Sequence, residues 1–236
     1  MLTVTNASGF GAGSAAFLPT DIAGIEIWLR SDLGITKDAS DFVSSWADQS
    51  GNGRDFTQAT NKPLWVDSLV NSHSGVRFDG TNDILMSAST GITMPIHVFT
   101  IFNAVSWVIN EFVWWAGNTV TTGKDLIMQS SSPNYTSNDS VAQGNTVSLE
   151  VGTWGLIHQI FDNAGAFSTS LNDDADVGGS AENSAQEPDN WALGARFNLA
   201  WFSNVEIAEF VVYDAAITGA DLTNLKTYFN SRYAIW

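Results

Sequence analysis

The most constraining feature of this sequence is a series of short runs of β-branched and aromatic residues, each bounded by Gly, Asn, Asp or Ser. In the run Ile25–Arg30, the residues Ile, Ile and Leu alternate with Glu, Trp and Arg. An alternation with a period of two is typical of a strand that has one face on a core. The other runs are 75–80, 97–105, 111–117, 145–151, 154–162, 167–173 and 205–214. The sequence therefore predicts an all-β protein built from short strands.

A single helix is predicted near the C-terminus. Thr218 can act as its N-cap, with Asp221 three residues further on. Leu222, Leu225 and Phe229 then lie on one helical face. We expect this face to pack against a sheet.

The first part of the chain differs from the rest in composition. Residues 1–20 contain no charged side chain and are rich in Gly, Ala and Ser, which predicts an extended N-terminal arm. The apolar residues that the arm would have to cover are Leu2, Val4, Phe10, Phe17 and Leu18. An arm that anchors the protein on a neighbour and a disordered leader are both open. Residues 21–236 show no repeat and no linker, so they are predicted to form a single domain.

Charge and composition exclude some classes of partner. The formal net charge is −16 and only nine residues are Lys or Arg, which argues against a nucleic-acid ligand because phosphates are bound through basic side chains. The N-terminus has neither a basic leader nor a long apolar core, so neither a conventional signal peptide nor a transmembrane helix is predicted. The chain has no Cys and thus no disulfide bond. Hydrophobic residues make up 44%, enough for a large core.

The usual signs of an enzyme are missing from the sequence. The paired carboxylates of a jelly-roll glycosidase, E-x-D-x-x-E, do not occur. Glu206 and Glu209 are three residues apart on a predicted strand and are expected on opposite faces. His73, His97 and His158 are widely separated, and His158 is expected to be a core or edge histidine rather than a catalytic base. We therefore expect no catalytic residues and no resident cofactor.

Two groups of residues are candidates for binding. Asn172, Asp174 and Asp176 alternate as in a calcium loop, but Val177 stands where such a loop needs Gly, so a solvated hairpin end is the favoured interpretation. The aromatic residues that could contact a glycan or a protein are Trp114, Trp115 and Tyr135. Trp114 and Trp115 are adjacent on a predicted strand, so one of them faces away from the core, unless a covering loop buries both.

The segment 44–60, SSWADQSGNGRDFTQAT, combines Asp48, Asn52 and Asp55 with two glycines. Trp46 and Phe56 provide apolar anchors at its two ends, and the polar residues between them suit tight turns. We interpret the segment as a corner of the fold. Arg77 and Asp79 in the next strand are expected to form an internal pair or a turn cap.

Several segments, in order, resemble the concanavalin A-like, laminin G-like jelly-roll family. The most specific are W-x-D-x-S-G-N-G from Trp46, V-R-F-D-G-x-x-D from Val76, and the final strand, Y-D, helix and R-Y. The resemblance covers nearly everything from residue 21 onward, with residues 106–200 matched only in outline. It implies a two-sheet antiparallel sandwich with one C-terminal helix. In that family the concave face binds glycans or protein surfaces and usually has no catalytic role, so the resemblance implies a binding function.

Similar domains occur in phage virion proteins and in bacterial surface proteins. The bare arm favours a virion component, such as a capsid decoration or fibre protein, that assembles in the host cytoplasm as a homo-oligomer with neighbouring subunits as partners. The alternative is a lectin-like module or adhesin that binds surface glycans outside the cell or at the cell surface. A polysaccharide-degrading enzyme is the third and least favoured hypothesis.

Overall fold

The computed structural model describes residues 16–88, 91–119, 122–128, 133–138, 143–162, 166–181 and 188–236. A short 3-10 helix, Pro19–Asp21, precedes the first strand, and the helix α1, Gly219–Tyr233, follows the last one. The strands in chain order are β1 (Ile25–Arg30), β2 (Ile35–Lys37), β3 (Val43–Trp46), β4 (Phe56–Thr57), β5 (Leu64–Val70), β6 (His73–Asp79), β7 (Leu85–Ser87), β8 (Ile96–Ala104), β9 (Phe112–Thr119), β10 (Thr122–Met128), β11 (Asn134–Asn138), β12 (Gln143–Ser148), β13 (Gly155–Phe161), β14 (Ala166–Leu171), β15 (Val177–Ala181), β16 (Asn190–Leu193) and β17 (Asn204–Tyr213).

The strands form two antiparallel sheets. Sheet A has the order β15-β14-β13-β8-β17-β6-β5, and β1 pairs with the second half of β17. Sheet B has the order β12-β11-β10-β9-β16-β7-β4-β3-β2. The named strands pair in antiparallel fashion in both sheets; β13, for example, lies between β14 and β8. This arrangement confirms the predicted two-sheet antiparallel jelly-roll sandwich with one C-terminal helix.

The main core lies between the two sheets. It is built from the inward-facing residues of each strand, including Phe78, Trp114 and Phe210, all fully buried. One polar side chain bridges the layers: Gln159 Oε1 accepts a hydrogen bond from Trp114 Nε1 at 2.9 Å. The Gln159 amide nitrogen donates to the Ser137 hydroxyl at 2.8 Å, so its amide group is satisfied on both sides.

Helix α1 covers the outer face of sheet A. Its buried side chains are Leu225, Phe229 and Tyr233, which form a second core with residues of the sheet. Thr218 is the N-cap residue, as predicted, but its side chain makes no capping hydrogen bond. The packing of the helix, rather than its cap, holds it in place.

A β-bulge at Ala208 changes the direction of the side chains along β17. The pairing with β8 is shifted between Ile207 and Glu209, and β17 exchanges β6 for β1 as its neighbour at this point. Because the bulge adds one residue, Glu206 and Glu209 lie on the same outer face of sheet A. The expectation that they face opposite sides is wrong for this reason.

Only the end of the predicted arm is described. Leu2, Val4 and Phe10 lie outside the described residues. Phe17 packs edge-on against Tyr228 of helix α1, with ring centroids 6.3 Å apart, whereas Leu18 is partly exposed. Pro19 is buried, and its carbonyl oxygen accepts a hydrogen bond from the buried Tyr213 hydroxyl at 2.8 Å. The chain is therefore attached to the sandwich before β1 begins.

Helix α1 is too short and too polar to cross a bilayer, and the same holds for every helix in the described part of the chain.

Candidate functional site

The segment 44–60 is a corner, as expected, and its polar groups bind one another. Both carboxylate oxygens of Asp48 accept two hydrogen bonds each: Oδ1 from the backbone N–H groups of Trp28 and Ser50, Oδ2 from the Ser50 hydroxyl and the Arg54 N–H. Asn52 donates to the carbonyl oxygen of Ile25 at 2.9 Å, which ties the corner to β1. With Asp48 saturated, this loop serves the fold.

The three aromatic residues expected to contact a ligand are all buried. Trp114 lies between the sheets and stacks on Trp191 at 5.7 Å. Trp115 points to the outer face of sheet B, but Phe197 stacks on it at 5.7 Å and covers it. Tyr135 is enclosed in the core between the sheets. Two of these rings are enclosed between the sheets and the third lies under Phe197, so none of them is exposed for the predicted contact with a glycan or a protein.

The candidate calcium loop does not bring its ligands together. The side-chain oxygen of Asn172 accepts a hydrogen bond from the Leu156 N–H at 2.9 Å. The carboxylate of Asp176 turns instead to the His158 ring, 3.5 Å away. Asp174 contributes its backbone oxygen to Lys226. Among the described residues, no group of three or more acidic or histidine side chains is arranged to hold a metal ion.

Two histidines that are distant in sequence meet below helix α1. The backbone N–H of Ile217 faces His97 Nε2 at 3.4 Å, and His97 Nδ1 lies 3.1 Å from His158 Nε2. These contacts place the protons on His97 Nδ1 and on His158 Nδ1, the atom that faces Asp176. Burial lowers the pKa of His97 to about 3 and also lowers the pKa of His158, so both rings are neutral at pH 7. His158 is a buried core histidine, as expected, and it lies beyond the reach of a ligand.

An exposed aromatic residue that the sequence did not single out lies on the loop between β16 and β17. Trp201 is 48% exposed and Leu199 is 50% exposed. Both have a left-handed backbone, with φ of 60° and 59°, which is uncommon for bulky residues. The only signal in the sequence is an aromatic residue in a segment without strand periodicity.

A cavity of about 420 Å³ lies beside β5 and β6, and its lining carries carboxylate, amide, hydroxyl, ammonium and guanidinium groups. We call it the Asp38–Asp83 pocket. Its lining residues are Asp38, Phe42, Thr60, Asn61, Lys62, Leu64, Arg77, Asp79, Asn82 and Asp83. Four of them lie in the segment VRFDGTND, residues 76–83, in which the sequence predicts an internal pair or a turn cap.

The first wall of the pocket is a turn closed by Asp38. Asp38 Oδ1 accepts hydrogen bonds from the backbone N–H groups of Ser40 and Phe42, and Oδ2 accepts one from Lys62 Nζ at 3.2 Å. The hydrogen bond from Lys62 and those from the backbone lower the pKa of Asp38, which keeps it ionised. The turn presents the Phe42 side chain with 43% of its surface exposed. An aromatic group is thus held at the rim by hydrogen bonds within the turn.

The opposite wall is a turn closed by Asp79. The backbone N–H groups of residues 81–83 all donate to Asp79 Oδ1, at 2.8 to 3.4 Å, so Asp79 is the predicted turn cap. Gly80 has a φ of 73°, and a Cβ there would come within 3.1 Å of the Asn204 backbone, so the turn requires glycine. The Ile84 N–H donates to the Asn61 carbonyl oxygen at 3.2 Å, which joins this wall to residues 60–62.

The floor of the pocket carries an ion pair. Arg77 is bound to Glu206 of β17 through two of its nitrogens, and Asn103 donates to the other oxygen of Glu206 at 3.0 Å. Arg77 therefore belongs to an internal ion pair, as expected, and its partner in that pair is Glu206. Its side chain remains 40% exposed, so this fixed guanidinium also faces the pocket.

Two neighbouring carboxylates in the pocket differ in the direction of their pKa shifts. Burial raises the pKa of Asp83 to about 6, and the negative charge of Asp79 adds to this effect. For Asp79, burial also opposes ionisation, but the backbone hydrogen bonds of the turn outweigh it and lower the pKa. At neutral pH the pocket offers ionised carboxylates as acceptors together with the amide, ammonium and guanidinium donors.

No protein-family model matches this chain, and no curated protein matches it. Solved structures match it in fold. A Trypanosoma rangeli sialidase in complex with 2-keto-3-deoxy-D-glycero-D-galacto-2,3-difluoro-nononic acid is similar with a TM-score of 0.67 and 13% identity, over 98% of this chain and 36% of that chain.

Two toxin domains are similar as well. The botulinum neurotoxin type G receptor-binding domain has a TM-score of 0.65 and 8% identity, over 88% of this chain and 52% of that chain. The binding domain of Paraclostridial Mosquitocidal Protein 1 has a TM-score of 0.61 and 13% identity, over 91% of this chain and 53% of that chain. This chain thus spans between about a third and about a half of the length of these proteins. At such identities the likeness shows the β-sandwich fold.

Proposed function

We propose that this protein is a non-enzymatic binding module that recognises a carbohydrate in the Asp38–Asp83 pocket. The observation that carries the proposal is the combination of an exposed aromatic side chain, Phe42, with acidic, amide and basic groups around one cavity. A sugar offers hydroxyl groups that both donate and accept hydrogen bonds and a ring with an apolar face. Such a ligand uses the mixed lining of this pocket more fully than an anion or an apolar molecule would.

The rigidity of the pocket supports the same function. Asp38 and Asp79 each close a turn by accepting hydrogen bonds from backbone N–H groups later in that turn, and the hydrogen bond from Ile84 to Asn61 joins two of the segments. Side chains that are already held in position lose little conformational entropy when a ligand binds. The fold is compatible with this role, because two of the similar structures are binding domains of toxins.

The carboxylates on the outer face of sheet A do not favour a glycosidase. Glu206 is bound to Arg77 and Asn103, and Glu209 is enclosed by Trp28 and two tyrosines. Both side chains already use their oxygens inside the fold. We therefore propose binding without hydrolysis. The virion role stays a prediction, which rests on the N-terminal arm, residues 1–20, and on the resemblance.

The test is a glycan array with the whole chain, followed by calorimetry on the best ligand. Phe42→Ala should weaken binding at least about tenfold, because it removes the exposed apolar group at the rim. Asn82→Ala, on the exposed wall, should weaken it as well without changing the fold. Trp201→Ala is the matched control, since it removes an exposed aromatic group outside the pocket, and it should bind as the wild type does.

Three outcomes would contradict the proposal. Binding lost in Trp201→Ala and kept in Phe42→Ala would move the site to the loop between β16 and β17. An array with no bound glycan would exclude the carbohydrate ligand. Release of reducing sugar from a bound glycan by the wild-type protein would show an enzyme.

A further inference from the structure

A second cavity, also of about 420 Å³, lies between the chain before β1 and helix α1, away from the Asp38–Asp83 pocket. We call it the Arg30–Arg232 pocket. Its apolar wall consists of Phe17, Leu18 and the ring of Tyr228, and its polar end consists of Arg30, His73 and Arg232. A chain with nine basic residues and a net charge of −16 has placed two arginines at one cavity. The concentration of positive charge suggests a specific use.

The two guanidinium groups are held together by one carboxylate. Arg30 Nε donates to Asp32 Oδ1 at 2.7 Å, and Arg232 Nη2 donates to Asp32 Oδ2 at 2.6 Å. The other nearby carboxylate is Glu209, whose Oε2 lies 3.9 Å from Arg232 Nε. Glu209 is fully buried and already accepts hydrogen bonds from three other donors. On the side of the cavity, two cations therefore share one anion.

The state of His73 is consistent with a positive potential in the pocket. Burial lowers the pKa of His73, and the charges of Arg232 and Arg30 lower it further, whereas Asp32 acts in the opposite direction. An anion bound beside the two arginines would reverse this effect. His73 thus provides a built-in reporter of the charge of a bound ligand.

Arg232 also keeps donors available, whereas Arg30 hydrogen-bonds both Asp32 and the Tyr228 side chain. Arg232 uses Nε for the Tyr233 hydroxyl at 3.2 Å and Nη2 for Asp32. No described residue takes a hydrogen bond from its Nη1 group, and a guanidinium has five N–H donors in one plane. A planar carboxylate matches such a donor fork better than a neutral polar group does.

We infer that the Arg30–Arg232 pocket binds a small organic carboxylate whose apolar body packs against Tyr228 and Phe17. The carboxylate accepts hydrogen bonds from the two guanidinium groups, and the apolar body covers the wall that Phe17, Leu18 and Tyr228 form. The cavity volume lies in the range of small-molecule sites. This site is independent of the proposed carbohydrate site.

The test uses benzoate as the probe and benzyl alcohol as its neutral analogue, with the whole isotope-labelled chain followed by NMR. Benzoate should shift the backbone signals around Tyr228 and raise the pKa of His73, and benzyl alcohol should bind at least about tenfold more weakly. Arg30→Gln should weaken benzoate binding by a similar factor. Arg54→Gln, which removes an equal charge beside Glu26, should leave it unchanged.

A second pair of variants tests the cavity without changing any charge. Asn224 is an exposed lining residue on helix α1, so Asn224→Trp should obstruct the pocket and abolish benzoate binding. Thr223→Trp places the same side chain one position away, outside the pocket lining. The Thr223→Trp protein should bind benzoate with the affinity of the wild type. Equal affinity for benzoate and benzyl alcohol would overturn the inference. So would benzoate binding that survives both Arg30→Gln and Asn224→Trp.

Discussion

The buried carboxylate of Glu209 provides the sharpest test of how helix α1 is held on sheet A. Its Oε1 accepts hydrogen bonds from Trp28 Nε1 at 2.6 Å and from the Tyr228 hydroxyl at 2.9 Å, and its Oε2 accepts one from the Tyr233 hydroxyl at 2.7 Å. Trp28 belongs to β1, and both tyrosines belong to the helix. Glu209 therefore links three elements at a position without solvent exposure.

The perturbation is Glu209→Leu, which leaves these donors without an acceptor. An unsatisfied buried donor costs about 1–3 kcal/mol. Trp28 and Tyr233 are almost fully buried, so water cannot replace the lost acceptor, whereas Tyr228 borders the Arg30–Arg232 pocket and can regain a water molecule. Two stranded donors predict a loss of about 2–6 kcal/mol. Because the variant no longer buries a carboxylate, which offsets part of the loss, we expect about 2–4 kcal/mol.

The assay is urea unfolding followed by tryptophan fluorescence and circular dichroism. Glu209→Gln is the matched variant, since its carbonyl oxygen can still accept two of the hydrogen bonds, and it should lose about 1–2 kcal/mol. Burial raises the pKa of Glu209 above 4.5 in the folded state. The free energy of unfolding of the wild type therefore decreases as the pH rises from about 4.5 to the pKa of the folded state. The advantage of the wild type over Glu209→Gln should therefore be largest at low pH and shrink as pH increases.

Two results would refute this reasoning. A Glu209→Leu protein as stable as the wild type would show that the three donors find other partners. An advantage over Glu209→Gln that grows with pH would show that the carboxylate titrates below its usual range.

The remaining predictions concern stability at three other positions. Moving the pKa of Asp83 from 3.8 to about 6 corresponds to about 3 kcal/mol. The free energy of unfolding of the wild type should therefore fall by up to that amount as the pH rises from 4 to about 6. Asp83→Asn should not show this decrease, and urea midpoints measured across the pH range provide the test. Gln159→Leu strands Trp114 Nε1 in the core, whereas the Ser137 hydroxyl keeps the Thr169 hydroxyl as a partner, and it should cost about 1–3 kcal/mol in the same unfolding assay. Trp201→Ala should change the free energy of unfolding by no more than about 0.5 kcal/mol, whereas Trp114→Ala should cost about 3–5 kcal/mol.

The strands could be predicted because their signal is local. Alternating side chains in a run such as Ile25–Arg30 reflect the two faces of one strand, and the predicted runs at 75–80, 154–162 and 205–214 coincide closely with β6, β13 and β17. The bulge at Ala208 could not be predicted in this way. It inserts one residue into the alternation and depends on the neighbouring strand, so simple alternation places Glu206 and Glu209 on opposite faces although they share one.

The exposure of aromatic residues was beyond the reach of local patterns. Trp115 does point away from the main core, as an alternating strand requires, but Phe197 covers it from a loop about eighty residues later in the chain. Likewise, His97 and His158 meet only because β8 and β13 are neighbours. Such contacts are set by the order of strands in a sheet, which a short window of sequence does not contain.

The corner and the Asp38–Asp83 pocket show why similar motifs serve different purposes. Asp48 and Asp79 both stand before glycine-containing turns and both cap them. In Asp48, four donors occupy both carboxylate oxygens, so the group is saturated. In Asp79, the three backbone donors converge on Oδ1, and Oδ2 is left without a donor from the described backbone. Residue type alone does not separate the two cases; the distribution of donors over the two carboxylate oxygens does.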